Sequence, residues 1–131
     1  MMTNEKPAVS KAAKWTGLIL GGLPATLMLV TGTIALFNPA MTAEMTTKYG
    51  FPQSSIMWMV LAEVASALLY LIPRTAVLGA ILLTGYLGGA VVTHVRAGEP
   101  IFFVPVVVGI VFWIGLYLRD PRLRALAPLR S

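Results

Sequence analysis

The sequence contains no cysteine and only one histidine among its 131 residues. Without cysteine, the chain cannot form disulfides, thiolate metal sites or iron–sulfur clusters, and it cannot carry out thiol redox chemistry. A single histidine is also too few for a haem or zinc site built from this chain alone. We therefore expect no intrinsic cofactor, so any electrons would be carried by a partner or a diffusible molecule.

Charged residues are also scarce, at 11% of the chain against 57% hydrophobic residues. Soluble domains carry about 25% charged residues, so this chain has too few to cover a water-facing surface. The net charge of +5 would suggest nucleic-acid binding in a soluble protein. Here the basic residues lie at the ends of apolar runs, where they can contact anionic lipid headgroups. We expect membrane lipids, and no nucleic acid, as partners.

Four apolar segments, each close to the length that crosses a bilayer, lie at 15–37, 56–72, 75–95 and 101–118. Turns of a few residues join the last three segments, so antiparallel packing is expected. This pattern predicts an all-α integral membrane four-helix bundle at 15–118, with a basic segment at 1–14 and a basic tail at 119–131. Between the first two spans we expect a short surface helix, because Asn38 suits an N-cap, Pro39 a first turn and Gly50 a helix end. Ser54 or Ser55 is then expected to cap the second span.

The distribution of lysine and arginine predicts the orientation of the bundle. With the N-terminus inside, eight of the ten basic residues lie on the inner side, and only Lys48 and Arg96 lie on the outer side. Basic residues favour the cytoplasmic side of a membrane. We therefore expect a multi-pass protein of the cytoplasmic (inner) membrane with both termini in the cytoplasm. The inner residues are Lys6, Lys11, Lys14, Arg74, Arg119, Arg122, Arg124 and Arg130.

Glu63 lies inside the second span, roughly 10 Å below its outer boundary. A carboxylate at that depth costs several kcal/mol unless it is protonated, paired or hydrated, so Glu63 is a candidate functional residue. Antiparallel packing predicts that Thr84 and Tyr86, Thr26 and Trp113 lie at a similar depth on the other three spans. Two interpretations remain open: a ligand or proton site within the bundle, or an interhelical hydrogen bond, which contributes only about 0.6 kcal/mol on average.

His94 ends the third span, about 15 Å from Glu63 along the bilayer normal. A direct acid–base pair between them is therefore not expected, although both residues are candidate catalytic groups. His94 is either an interfacial anchor or a proton-uptake group that titrates near neutral pH. The glycines of the spans permit either close packing within the bundle or contacts between two copies, so a homodimer is also considered.

The order and spacing of several motifs resemble the DoxX-like family of small four-span membrane proteins. The resemblance covers most of the chain after about residue 15 and implies a four-helix membrane bundle. It also places Glu63, Arg74, His94 and Arg96 at positions typical of the family. The matching elements are Gly-Phe-Pro at 50–52, Glu63, Tyr-Leu-Ile-Pro-Arg-Thr-Ala at 70–76, Gly-Tyr-Leu-Gly-Gly-Ala at 85–90, Thr-His-Val-Arg at 93–96, Trp113, and Leu-Arg-Asp-Pro-Arg-Leu at 118–123.

The resemblance implies a redox setting rather than a specific reaction. The family is named after subunits linked to thiosulfate oxidation with quinone as acceptor, and its members resemble membrane parts of redox assemblies. A quinone as cofactor and a soluble oxidoreductase subunit as partner are therefore expectations from the resemblance. Because this chain lacks cysteine, its own side chains cannot supply thiol chemistry.

Three functions are compatible with the sequence. The first is binding or acting on a lipophilic small molecule, such as a quinone or isoprenoid, with Glu63 as the acid–base or hydrogen-bonding group. Thr84, Tyr86, Trp113 and Thr26 would then surround the ligand. The second is a non-catalytic anchor for a redox complex, and the third is a small proton-coupled exporter. In the second, contacts to a partner or to lipid headgroups would come from Arg74, Arg119, Arg122 and Arg124. Enzymatic activity is neither predicted nor excluded.

Overall fold

The computed structural model describes residues 9–126, which fold into six α-helices with no strand in that range. Three of these helices, α1, α3 and α4, and the segment Pro100–Arg119 that contains α5, are long and apolar enough to cross a membrane. The prediction of an all-helical, multi-pass membrane protein is thus confirmed. The helices are α1 (Lys11–Phe37), α2 (Pro39–Thr47), α3 (Gln53–Leu71), α4 (Ala76–Arg96), α5 (Phe103–Arg119) and α6 (Pro121–Leu126).

The helix ends differ from the predicted spans by a few residues. α1 begins at Lys11 because the side chain of Ser10 accepts a hydrogen bond from the amide of Ala13. α3 begins at Gln53, directly after Pro52, and no side chain caps it. The hydroxyl of Ser55 instead donates to the carbonyl of Pro52. The prediction of a serine cap on the second span is therefore wrong, since Pro52 already starts the helix.

The short surface helix between the first two spans is present as α2. The side chain of Asn38 accepts a hydrogen bond from the amide of Ala40 at 3.1 Å, and Pro39 occupies the first turn. Gly50, at φ 74°, turns the chain after the helix. No residue of α2 is buried, so the helix lies on the surface of the bundle.

The four spanning helices form a closed ring in which each packs against two others. α1 contacts α3 and α5, and α4 contacts α3 and α5. α1 begins and α5 ends at the same end of this bundle, which we call the base end. The opposite end, which holds α2 and the α4–α5 turn, is called the α2 end. Which end faces the cytoplasm stays a prediction, and Lys6 and Arg130, which contribute to it, lie outside the described residues.

The hydrophobic core lies toward the base end. The largest fully buried side chains are Tyr70, Leu83, Phe112 and Leu116. The hydroxyl of Tyr70 donates to the carbonyl of Phe112 at 2.7 Å, and the two rings meet edge to face with centroids 4.8 Å apart. A buried phenol thus has the hydrogen-bond partner that it requires in an apolar core.

Glycines let the helix backbones approach closely at this end. A Cβ atom on Gly115 would lie 2.7 Å from the amide nitrogen of Gly21, and one on Gly79 would overlap the backbone of Tyr70. These positions fix the α1–α5 and α3–α4 contacts at a separation that no larger residue permits. The base end is therefore tightly packed.

Candidate functional site

A cavity of about 1180 Å³ opens between α3 and α4 toward the α2 end, and the loop after α2 forms part of its wall. The cavity exists because α4 presents glycines there. A Cβ atom at Gly85, Gly88 or Gly89 would find no other atom within 4 Å. These glycines therefore face open space and do not serve the close packing considered for them. The cavity is open on one side, where the exposed side chains of Trp58 and Val92 lie.

Glu63 and Tyr86 meet at the side of this cavity. Tyr86 lines the cavity, and its hydroxyl donates to Oε2 of Glu63 at 2.9 Å. The half-buried carboxyl group of Glu63 also lies beside α1, near Thr31 and 3.5 Å from the Cβ position of Gly32, while the hydroxyl of Thr31 donates to the carbonyl of Met28. Two residues predicted to lie at one depth are thus brought together, and the carboxyl group of α3 lies between α1 and α4. Glu63 does not itself line the cavity, so Tyr86 is the member of the pair that a bound molecule would touch.

Thr84 and Trp113 lie elsewhere, which corrects the prediction that they surround Glu63. Nε1 of Trp113 donates to the hydroxyl of Thr84 at 2.8 Å, and Thr84 donates in turn to the carbonyl of Ala80. Both residues line a smaller apolar groove of about 420 Å³ between α4 and α5. Since two residues along a helix are about 200° apart around its axis, Thr84 and Tyr86 face opposite sides of α4.

Thr26 is also not brought to Glu63. Its side chain is exposed on α1, and Thr31 takes the predicted position beside the carboxyl group. The two threonines are five residues apart, or about 7.5 Å along the axis and 140° around it. The depth estimate from sequence missed this because it fixed the depth of α1 only to within about one turn, and it contained no information about which face of α1 points inward.

A polar cluster, formed by Lys48, Tyr49, His94 and Glu99, lies at the mouth of the cavity. Nδ1 of His94 lies 2.5 Å from Oε2 of Glu99, and Nζ of Lys48 lies 2.5 Å from Oε1. The hydroxyl of Tyr49 donates to Oε2 of Glu99 at 3.1 Å. The hydrogen bonds from Lys48 and His94 lower the pKa of Glu99 to about 2. The cluster ties the loop after α2 to the α4–α5 turn, and His94 pairs with Glu99 rather than with Glu63.

Glu99 is the functional candidate that the sequence analysis missed. The residues at the C-terminus of α4 contain a sequence pattern that predicts the position of Glu99. Gly98 has φ 71°, its amide donates to the carbonyl of Val95, and the amide of Glu99 donates to the carbonyl of His94. This pair of bonds is the Schellman motif, which places the residue after the glycine beside the residue five positions earlier. A histidine, three residues, a glycine and a glutamate therefore suffice to predict the His94–Glu99 contact.

The four basic residues proposed for partner or headgroup contact divide into two groups. The guanidinium of Arg119 lies 4.8 Å from the ring centroid of Tyr70, and Arg124 donates to the carbonyls of Tyr117 and Leu118 at 2.9 and 2.7 Å. These two residues hold the end of α5. Arg74 and Arg122 are exposed, with Nε of Arg122 3.5 Å from Asp120. Of these four residues, Arg74 and Arg122 are therefore the two that are exposed at the base end.

Comparison with known proteins identifies the family. The family model described as the DoxX-like family matches residues 19–115, a range that includes all of α3 and α4 and the residues Glu63, Tyr86, His94 and Glu99. Comparison with curated proteins and with solved structures finds no match. The matched range covers most of the chain and contains every residue that lines the cavity and all four residues of the polar cluster. The chain therefore belongs to the DoxX-like family.

Proposed function

We propose that this protein binds a lipophilic small molecule, such as a quinone or an isoprenoid, in the cavity between α3 and α4. The observation that carries the proposal is the size and position of the cavity, about 1180 Å³ with the Tyr86–Glu63 pair at its side. Ligand sites in proteins commonly measure about 300–1,000 Å³ and combine apolar walls with a few polar groups. A ring system and part of an isoprenoid tail fit such a space.

The arrangement of residues supports a ligand rather than a packing defect. Gly85 and Gly89 of α4 line the cavity and have no atom within 4 Å of their Cβ positions, so a bound molecule there could add dispersion contacts. A carboxyl group lies beside that space at membrane depth, where it carries a desolvation cost. A bound lipophile would supply those contacts and use the polar group. Trp58 and Val92, exposed at the opening, would let such a molecule enter from the bilayer.

In this proposal Tyr86 contacts the ligand and Glu63 acts through it. The phenol hydrogen is directed at the carboxyl group, so a proton gained or lost at Tyr86 can be exchanged with Glu63. Glu63 thus serves as a hydrogen-bonding or acid–base group for the ligand. Electron transfer, if the ligand is a quinone, would require a redox partner at the membrane surface, because the chain has no cysteine and a single histidine.

The two alternatives have less support from the structure. A docking surface for a soluble enzyme would use the base-end arginines, but Arg119 and Arg124 are bonded to the bundle's own carbonyl groups. A proton-coupled exporter needs its carboxylate to exchange a proton for a cation in an open path. Glu63 does not line the cavity and is covered by Tyr86.

Native mass spectrometry of the gently purified protein tests the proposal. We expect a co-purifying lipophile with the wild type and its loss in Gly89→Leu, which places a side chain in the cavity. Gly22→Leu is the matched control, because Gly22 also faces open space but lies outside the cavity. Glu63→Gln should weaken retention by about tenfold if the carboxyl group orients Tyr86. Protein that is folded but empty in all four forms would contradict the proposal.

A further inference from the structure

The hydroxyl groups that line the cavity all use their single hydrogen within the protein. A hydroxyl has one hydrogen to donate and two lone pairs to accept, so each of these groups offers the cavity only its acceptor side. The five donations are Thr47 to the carbonyl of Ala43, Tyr49 to Glu99, Ser55 to the carbonyl of Pro52, Tyr86 to Glu63, and Thr93 to the carbonyl of Gly89.

The histidine at the mouth also presents an acceptor to the cavity when its imidazole is neutral. The pKa of Glu99 is lowered to about 2 by Lys48 and His94, so at neutral pH its carboxylate only accepts hydrogen bonds. The hydrogen of the His94–Glu99 bond must then be on Nδ1. In a neutral imidazole the other nitrogen, Nε2, carries a lone pair and accepts. Within the described residues Nε2 has no hydrogen-bond partner, and His94 lines the cavity.

Side chains that line the cavity and have a hydrogen free to donate lie at its rim and its opening, where the exposed indole of Trp58 and two cations are found. Nζ of Lys48 lies 3.5 Å from Glu44 and 2.5 Å from Glu99, and Arg96 is exposed where α4 ends. Deeper in the cavity, around Tyr86 and the glycines of α4, the polar side-chain atoms are acceptors. A ligand atom that can only accept would therefore place lone pair against lone pair at that depth.

We propose that the cavity selects a lipophile that donates a hydrogen bond, namely one with a hydroxyl group on an apolar body, with Tyr86 Oη or His94 Nε2 as the acceptor. This inference rests on the proposed function and narrows its ligand class. An isoprenoid alcohol and a quinol both carry the required group. An ether or a quinone with the same body leaves the protein acceptor without a partner, which we expect to weaken binding by on the order of tenfold.

Pairs of ligands that differ in the hydrogen-bond donor measure the contribution of the hydroxyl group to binding. Geranylgeraniol and its methyl ether, and ubiquinol-1 and ubiquinone-1, are titrated into the protein in nanodiscs. Tryptophan fluorescence reports binding because Trp58 lines the cavity. We expect the hydroxyl form to bind about tenfold more tightly in at least one pair, and that pair identifies the ligand body. Equal affinity within both pairs, or tighter binding of the ether and the quinone, would overturn the inference.

Variants then locate the acceptor. If Tyr86 is the acceptor, Tyr86→Phe should abolish the preference for the hydroxyl form, while Tyr117→Phe, outside the cavity, should keep it. If His94 is the acceptor, the ring-nitrogen NMR signals answer the question directly, because His94 is the only histidine and its ¹⁵N label is unambiguous. The Nε2 signal should then shift with the alcohol but not with the ether, and Glu99→Gln, which removes the positioning carboxylate, should reduce that shift.

The outcomes also separate this inference from the function on which it rests. Binding without a hydroxyl preference leaves the lipophile site intact and refutes only the selectivity. If Tyr86→Phe keeps the preference for the hydroxyl form and the Nε2 signal of His94 does not shift with the alcohol, the assignment of the acceptors is refuted. If none of the four probes binds and no lipophile co-purifies, both proposals fail.

Discussion

The base end and the α2 end of the bundle use the same residue type for opposite purposes. At the base end, a Cβ on Gly17 would lie 2.5 Å from the carbonyl oxygen of Gly115, so glycine there permits backbone contact. At the α2 end, Gly88 has no neighbouring atom within 4 Å of its Cβ position. Glycine there creates empty space. The composition of a span therefore does not reveal whether its glycines serve packing or a cavity.

The two ends of the bundle also differ in whether their residues form the buried core or the candidate site. The buried core, with Tyr70 and Phe112 at its centre, lies at the base end. The cavity, the Glu63–Tyr86 pair and the polar cluster lie from the middle of the bundle to the α2 end. Functional regions are commonly drawn from the less densely packed part of a protein. Substitutions at the two ends should accordingly change different measured quantities.

The largest expected difference concerns alanine at a glycine of each end. In Gly79→Ala the new methyl group would overlap the backbone of Tyr70, so we expect a loss of about 3 kcal/mol or failure to fold. In Gly85→Ala the methyl group enters open space, and the helix propensity of alanine should leave stability unchanged or raise it by up to about 1 kcal/mol. Thermal unfolding in one detergent, followed by circular dichroism, measures both. Equal losses would remove the distinction between the two ends.

A smaller effect is expected from the tyrosine in the core. Tyr70→Phe removes the hydrogen bond to the carbonyl of Phe112 and keeps the ring, so stability should fall by about 1 kcal/mol. Lipophile retention should not change, because Tyr70 does not line the cavity. The same unfolding assay and native mass spectrometry check both statements, with Tyr117→Phe as the partly exposed control. Loss of the ligand in Tyr70→Phe would show that the two ends are coupled.

The smallest effect is the pH response of the polar cluster. The pKa of Glu99 falls from its ordinary value of 4.5 to about 2 in the folded protein, chiefly through the hydrogen bonds from Lys48 and His94. A depressed pKa stabilises the fold above pH 4.5, and this contribution is lost as pH falls from about 4.5 toward 2. Protonated Glu99 should release the loop after α2.

Hydrogen–deuterium exchange over residues 39–51 measures this release. At pH 6 we expect faster exchange in Glu99→Gln than in the wild type, and at pH 2, where about half of Glu99 is protonated in the folded protein, we expect a much smaller difference. The base end, which lacks Glu99, provides the internal control. A difference that persists unchanged at pH 2 would show that Glu99 holds the loop in a way that does not depend on its charge.

The sequence predicted more of the fold than of the site. The four spans and α2 follow from apolar run length and from local signals such as Asn38 and Pro39, which act within a few residues. The meeting of Tyr86 with Glu63 follows from antiparallel packing of two helices joined by a short turn. Thr84 and Thr26 were misplaced because a depth estimate has no information about helix rotation, and the face of a helix changes by about 100° with each residue.

By itself, the sequence of this protein determined that it is an all-helical membrane protein of the DoxX-like family with one acid deep in a span. The length of an apolar run, its hydropathy and the turn residues beside it are local properties. They determine the helices and their order without reference to how the helices pack. Only the tertiary structure decided that α4 glycines line a cavity, that Thr31 rather than Thr26 lies beside Glu63, and that His94 and Glu99 meet Lys48 at the mouth. Those features depend on helix rotation and separation, which the side chains of all four spans set together.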